Sequence, residues 1–210
     1  MKILSPELPQ HLTEYKDEAP EFEERTESAA FLSCDFSRRA FSGCEFAGVQ
    51  FTGCKFISAS FRRADFCDCV FENCDLSGAT LAGAAFRRAV FSGCKGMGAD
   101  FSEGYFADVY SEKCNLCYAN FSGSKWKAVR FAGCDLSEVS LSDCAVKGLE
   151  LQKCRLVRAE IYGTMLKGVD LTDCDLAGLV LSADLRELRG ATVSSFHAAA
   201  FLRALGIKVE

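Results

Sequence analysis

A five-residue period runs without interruption through most of this 210-residue chain. From Phe31 to Leu181, every fifth position falls in one column, in which all positions but Gly96 and Ser111 are large and apolar, and 15 of the 18 phenylalanines lie in it. A period of five matches neither an α-helix, which repeats every 3.6 residues, nor a flat strand, which alternates every two. It predicts short straight segments, each with a large and a small inward residue, joined by corners where glycine is favoured.

The small residue two positions before each column residue indicates how many segments close one turn. Identity at this position recurs at every fourth pentapeptide, which predicts four segments per coil with like residues stacked between coils. The sequence therefore predicts an all-β fold, a four-sided parallel solenoid of nearly eight coils. Its structural core would include one file of cysteines that act as small hydrophobic groups: Cys34, Cys54, Cys74, Cys94, Cys114, Cys134, Cys154 and Cys174.

The segments that flank the repeats are expected to close the ends of the solenoid, because an open coil exposes unpaired strand edges. We expect an acidic lead-in over residues 1–28, the β-helix over residues 29–183, and a C-terminal helix and short strand over residues 184–210. Thr192 or Ser194 is a candidate helix cap, Gly206 marks the helix end, and Ile207 to Val209 alternate as a strand would. The apolar stripe of the helix has His197 on its flank and runs through Val193, Phe196, Ala200, Phe201, Ala204 and Leu205.

Residue types and spacing argue against catalytic and metal chemistry. The two histidines, His11 and His197, lie outside the repeats, so no Ser–His–Asp or Cys–His arrangement is indicated. The Cys114–Cys117 pair has no second pair at zinc spacing. We therefore predict that the protein is not an enzyme and has no cofactor and no metal site.

Charge and hydropathy restrict the classes of partner. The net charge is −5, and residues 31–181 contribute only −1, from 18 acids and 17 bases. No basic patch dominates, so we predict no direct binding of nucleic acid. No apolar run reaches the roughly 18 residues of a membrane span. An odd number of cysteines (13), with no signal-peptide pattern, favours a reducing compartment, and we expect a cytoplasmic location.

The two small residues in the large column, Gly96 and Ser111, mark an irregularity. Because these two residues fill less of the core than the others in the column, the sequence predicts a thinner or bulged coil there. Tyr105, Tyr110 and Tyr118 cluster nearby in sequence. Two interpretations stay open. The irregularity is either a contact site for a partner or a packing defect refilled by Met97 and the tyrosines.

The repeats Cys74–Gly78 (CDLSG) and Ala119–Gly123 (ANFSG) resemble the consensus of the pentapeptide repeat family, which is small–Asp/Asn–Leu/Phe–Ser/Thr–Gly. The resemblance extends over residues 29–183 and implies a right-handed quadrilateral parallel β-helix. The total length, the short lead-in, the many cysteines and the tail from Ser194 to Glu210 are similar to the topoisomerase-protecting Qnr, MfpA and AlbG group within that family.

That resemblance implies a homodimer joined through the C-terminal helices, which mimics DNA and binds DNA gyrase or topoisomerase IV. Such a protein protects its target from fluoroquinolones or other gyrase inhibitors. The alternative is a structural or scaffold protein with an unrelated protein partner, which the near-neutral coil surface favours. The expected dimer interface is Phe196, Ala200, Phe201 and Leu205, and the candidate partner-binding residues are Asp135, Glu150, Asp170, Asp175, Tyr105 and Tyr110.

Overall fold

The five-residue segments form the straight edges of a parallel β-solenoid of about seven turns in the computed structural model of the chain. The structure describes residues 2–18, 20 and 24–209; Met1, residues 19 and 21–23, and Glu210 lie outside it, as does the side chain of Ala204. The described residues contain a 3-10 helix, Arg186–Leu188, and an α-helix, α1, Ser195–Ala204. Their strands are β1 (Thr13–Lys16), β2 (Arg25–Glu27), β3 (Ala29–Leu32), β4 (Glu45–Ala47), β5 (Gln50–Thr52), β6 (Asp65–Cys67), β7 (Val70–Glu72), β8 (Ala85–Ser92), β9 (Tyr105–Glu112), β10 (Lys125–Ala132) and β11 (Ala145–Gln152).

Successive coils stack in parallel, and each residue lies beside the one four pentapeptides later, from Arg25 beside Glu45 to Glu160 beside Val180. The predicted four-sided parallel architecture is therefore confirmed. We name each face by the column of inward residues behind it, in which one residue follows another after 20 positions. The column of face A runs from Phe46 to Leu166, that of face B from Phe31 to Leu171, that of face C from Phe36 to Leu176, and that of face D from Phe41 to Leu181. Continuous strands lie on faces A and B, and β8 to β11 each pass around the corner between them. On faces C and D, neighbouring coils are paired through isolated β-bridges.

Stacked aromatic rings fill the first half of the core. Behind face A, the rings of Phe46, Phe66 and Phe86 lie parallel with centroids 4.9 Å apart. Rings on neighbouring faces meet edge to face, as Phe46 meets Phe51. Both geometries are favourable for aromatic pairs. Leucines replace the phenylalanines towards the C-terminus, so the core stays apolar along its whole length.

The cysteines that recur at every fourth pentapeptide lie buried in one file. Their thiols donate to backbone oxygens of the coil before, as Cys54 does to the oxygen of Phe31 at 3.3 Å. Burial raises the pKa of Cys154 to about 11 and that of Cys174 to about 12. Cys154 and Cys174 are therefore neutral at physiological pH and lack the thiolate that redox and metal chemistry needs.

The N-terminal lead-in has two parts. Strand β1 pairs with β3 and sets Thr13 beside Ala29, and the ring of Tyr15 stacks on Phe31 at 5.0 Å, which covers the first coil. Ahead of it, residues 2–9 run along the outside of the corner between faces A and B. The Glu7 amide donates to Asp68 Oδ1 at 3.0 Å, and the Leu4 amide donates to Asp108 Oδ1 at 3.1 Å. The lead-in is therefore a strap along the side as well as a cover for the end.

The last coil is two residues longer than the others, because Asp170 pairs with Thr192 where the regular register would set it beside Gly190. The 3-10 helix takes up the extra length. Its Glu187 side chain is completely buried, and its carboxylate accepts bonds from the Gly163 amide at 3.0 Å and from the Ser182 hydroxyl at 2.7 Å. This carboxylate ties the C-terminal segment to the coil before it.

Helix α1 lies on the open end of the last coil, beside residues 175–179. Ser194 is its cap, and the His197 side chain completes a capping box, so His197 is buried and not on the flank as predicted. The predicted strand at Ile207 to Val209 is wrong. The end of the coil is already covered by α1 and offers no free strand, and the Ile207 amide instead donates to the Leu202 oxygen at 2.9 Å.

The irregularity at Gly96 and Ser111 leaves the register intact. A Cβ at Gly96 would lie 2.8 Å from Leu116, so that leucine fills the space above the glycine. Beside Ser111 a small apolar cavity of about 20 Å³ remains, lined by residues that include Phe91 and Phe131. Met97 is exposed, so the prediction that it refills the core is wrong.

Candidate functional site

The six candidate partner-binding residues are distributed over three faces. Tyr110, Glu150 and Asp170 share one outward column of face B, as the repeat of four pentapeptides predicts. Glu150 pairs with Arg130 of the coil before it at 2.5 Å. Glu150 and Asp170 line an open groove of about 810 Å³, together with acidic and basic side chains that include Lys113, Lys153 and Asp173. The charges of this groove are mixed.

Asp135 and Asp175 share face C, where charges alternate along one outward column. Arg155 lies between them in register and pairs with Asp135 at 3.0 Å. Burial would raise the pKa of Asp135, but hydrogen bonds from Ser137 and the charge of Arg155 lower it. The column reads Asp35, Lys55, Asp75, Lys95, Asn115, Asp135, Arg155 and Asp175. Face C is therefore largely neutralised along its length.

The three tyrosines near the irregularity do not form a cluster. Tyr105 lies on face A, where the guanidinium of Arg87 is 5.9 Å from its ring centre. Tyr110 is half-buried on face B. Tyr118 is exposed at the corner after face C and donates a hydrogen bond to Glu138. Neighbours in sequence occupy different faces because each pentapeptide turns a corner.

An acidic surface lies on face D, and none of its residues was among the six candidates. From residue 100 onward, the outward and corner positions of this face hold four acids and no base: Asp100, Glu103, Asp143 and Glu160. We call these four residues the acidic patch. Asp100 is half-buried, and its carboxylate accepts bonds from the Ser102 amide and the Asn120 side chain. The other three carboxylates are exposed.

The acidic patch has a linear charge density comparable with that of one DNA strand. Asp100 and Glu160 stand at the two ends of a stack of four coils, and each coil adds about 4.8 Å. The first coil carries two of the charges, the coil of Asn120 carries none, and the next two carry one each, so the average is about one charge per 4.8 Å with uneven spacing. One strand of duplex DNA carries one phosphate per about 3.4 Å of helix axis. A near-neutral solenoid thus concentrates acidic side chains on one face, at an average density below that of one DNA strand.

The C-terminal helix leaves a second distinctive surface. Phe196 is 79% exposed and Leu205 is 47% exposed, and Ala200 is also exposed. Phe201, by contrast, packs partly buried against the core of its own chain. A groove of about 150 Å³ lies between α1 and the last coil. The four residues expected at a dimer interface therefore divide into three that face outward and one that holds the helix in place.

Among the described residues, no group of three or more His, Cys, Asp or Glu side chains is arranged to hold a metal ion. In the same part of the chain, no helix has the length and apolar character that crossing a membrane requires.

Family models that match most of the repeats agree with this fold. A family model described as the pentapeptide repeat region matches residues 64–139, and a model of pentapeptide repeats (8 copies) matches residues 34–73 and 140–178. No curated protein matches the chain. Among solved structures, a trypsin-treated form of QnrB1, a plasmid-mediated fluoroquinolone resistance protein, is 28% identical; the match covers 95% of this chain and 97% of that one, with a TM-score of 0.43.

Full-length QnrB1 is 24% identical, with 94% of this chain and 99% of that chain covered and a TM-score of 0.46. HetL from the cyanobacterium Nostoc sp. strain PCC 7120, described as involved in the regulation of heterocyst differentiation, is 16% identical. Its match covers 80% of this chain and 88% of that chain, with a TM-score of 0.40.

Proposed function

This chain belongs to the pentapeptide repeat family, and from that premise we propose that it is a non-enzymatic protein that binds DNA gyrase or topoisomerase IV. In this role it protects the topoisomerase from fluoroquinolones or other gyrase inhibitors. The acidic patch is the observation that carries the proposal. A topoisomerase binds duplex DNA through a basic surface, and a rigid rod with four acids and no base along one face offers that surface a substitute.

The parallel solenoid favours this use of charge, because its backbone fixes the position of each carboxylate along the rod. Consecutive coils add about 4.8 Å each, and the constant register keeps a residue type on the same face. From residue 100 onward, the acids of face B lie among Lys113, Arg130 and Lys153 and those of face C among arginines, so face D, with four acids and no base, is the most anionic face of this part of the described solenoid. Binding is therefore expected to depend on Asp143 and Glu160 more than on Asp135 or Glu150.

Two copies are proposed to associate through α1, which places the acidic patches on a rod of twice the length. Exposed Phe196, Ala200 and Leu205 would be covered by the partner helix, since a large exposed apolar patch indicates an interaction site. Phe201 supports the interface indirectly, because it anchors α1 to the last coil.

A gyrase supercoiling assay with a fluoroquinolone tests the proposed function. Wild-type protein is expected to restore supercoiling, or to inhibit the enzyme at high concentration as a DNA competitor. The double variant Asp143→Asn, Glu160→Gln should lose both effects. A matched control, Glu72→Gln with Asp173→Asn, removes two exposed acids from face B and should behave as wild type.

Neither protection nor inhibition at any concentration would contradict the proposal. Equal loss of activity in both double variants would contradict the role of the acidic patch. A pull-down that recovers another protein and no topoisomerase subunit would select the scaffold alternative.

A further inference from the structure

Face A carries a second charged surface of opposite sign. In its last three coils the outward and corner positions hold four lysines and no acid: Lys125, Lys127, Lys147 and Lys167. We call these residues the lysine patch. All four side chains are exposed. Lys127 lies directly beside Lys147 in register, and Lys167 follows one coil later.

Like charges also lie in register at Glu45 and Asp65 of face A, but there Arg25 and Arg87 pair with the two carboxylates, whereas the last three coils of this face hold no acid. Ion pairs between residues one coil apart set an arginine against a carboxylate, as in Arg25–Glu45, Asp68–Arg88, Arg130–Glu150, Asp135–Arg155 and Glu138–Arg158. Like charges directly opposite each other on neighbouring strands destabilise a sheet. Lys127 and Lys147 therefore repel each other across neighbouring coils, and a bound anion would offset this repulsion.

The number and spacing of the four lysines fit a chain of phosphates. Arginine matches a carboxylate with two parallel bonds, and the solenoid uses arginine for its inter-coil carboxylates. Lysine also binds phosphate, as a flexible point charge that can follow groups whose orientations vary along a chain. The patch extends over two coil steps, or about 10 Å, and over one residue pair of a strand, or about 7 Å. This area suits several consecutive phosphates.

We propose that the lysine patch binds the phosphate backbone of a nucleic acid, through up to four phosphates and without reading its sequence. The flat sheet face supports this mode, since it has no element that would enter a groove. The prediction of no nucleic-acid binding rested on the chain-wide charge, which hides the patch because acids and bases lie on different faces. This inference does not depend on the proposed topoisomerase target.

Fluorescence anisotropy with labelled duplex DNA and single-stranded RNA of mixed sequence, titrated from 20 to 200 mM salt, tests the proposal. Four phosphate contacts give a slope of log affinity against log salt of about −3.6 for a duplex and about −2.8 for a single strand. Duplex affinity then falls about 150-fold between 50 and 200 mM salt. The double variant Lys127→Gln, Lys147→Gln should halve the slope, so that its affinity falls about 12-fold over the same range.

Lys55→Gln with Lys95→Gln is the matched control, because it removes the same charge from face C, where each lysine lies beside an aspartate in register. Unchanged binding by the control and reduced binding by the patch variant would support the proposal for whichever nucleic acid binds. No binding at 20 mM salt, or equal loss in both variants, would overturn it. Tighter binding of an acidic polypeptide such as polyglutamate than of either nucleic acid would also overturn it, in favour of a protein partner.

Discussion

Replacing Glu187 with glutamine tests whether one buried carboxylate holds the C-terminal segment onto the solenoid. Burial raises the pKa of Glu187, but hydrogen bonds from the Ser182 side chain and from the Gly163 and Ser182 amides outweigh burial and lower it from 4.5 to about 2. A pKa lowered to that extent corresponds to about 3 kcal/mol of stability that the charged form contributes near neutral pH. Glutamine keeps the shape, but both carboxylate oxygens accept from a backbone N–H, so its NH₂ group would face the donor of either Gly163 or Ser182 and the segment would open more readily.

Hydrogen exchange at the Gly163 amide measures this contribution locally, since that amide donates to Glu187. Glu187→Gln should reduce the protection of the amide about a hundredfold at pH 6 to 7, the equivalent of about 3 kcal/mol. The matched control Glu160→Gln removes an exposed carboxylate from the coil before and should leave that protection within a few-fold of wild type.

The stability that the charged Glu187 contributes decreases as the pH falls. The pKa of Glu187 is depressed in the folded state, so its contribution is complete above about pH 4.5 and is lost as the pH falls towards 2. The difference between wild type and Glu187→Gln should therefore shrink from pH 5 to pH 2.5. A difference that stays constant over that range, or equal protection of Gly163 in both proteins, would refute this account.

Three further predictions concern the core, the helix and the strap. Ser111→Val should partly fill the cavity behind face B and raise the free energy of unfolding by about 1 kcal/mol in urea denaturation; a decrease would mean that the cavity cannot accept a methyl group. Phe196→Asp should give a folded monomer by light scattering, whereas Phe201→Asp should also lose the helical signal in circular dichroism; an unchanged dimer mass for Phe196→Asp would place the interface elsewhere. Asp68→Ala should speed proteolysis of residues 2–9, because it removes the acceptor of the Glu7 amide; an unchanged cleavage rate would show that the strap is held by other contacts.

The repeat predicted the fold almost completely because each coil touches only its neighbours. Once Cys34 and Cys54 are assigned to the same file, the other residues of the regular repeats follow by counting. The N-terminal strap and the longer last coil escaped prediction, since residues 2–9 and Glu187 lie outside the period and are placed by particular hydrogen bonds.

The charged surfaces were within reach of the sequence, but a sum of charges along the chain conceals them. Asp143 and Lys147 are four positions apart and lie on different faces, because a corner separates them. Sorting charged residues by their position within the coil of four pentapeptides separates the acidic patch from the lysine patch. The burial of His197 and Phe201 was harder to predict, since helical spacing identifies an apolar stripe and does not say which part of it meets the coil.

The constant register makes the length of the rod adjustable only in discrete steps. Removing one complete coil, such as residues 85–104, brings Ala84 next to Tyr105, and the chain continues on the same face with every file of side chains aligned. Removing a single pentapeptide would instead rotate everything after it by one side of the square. Evolution can therefore tune how far the charged surfaces lie from α1 only by gaining or losing whole coils.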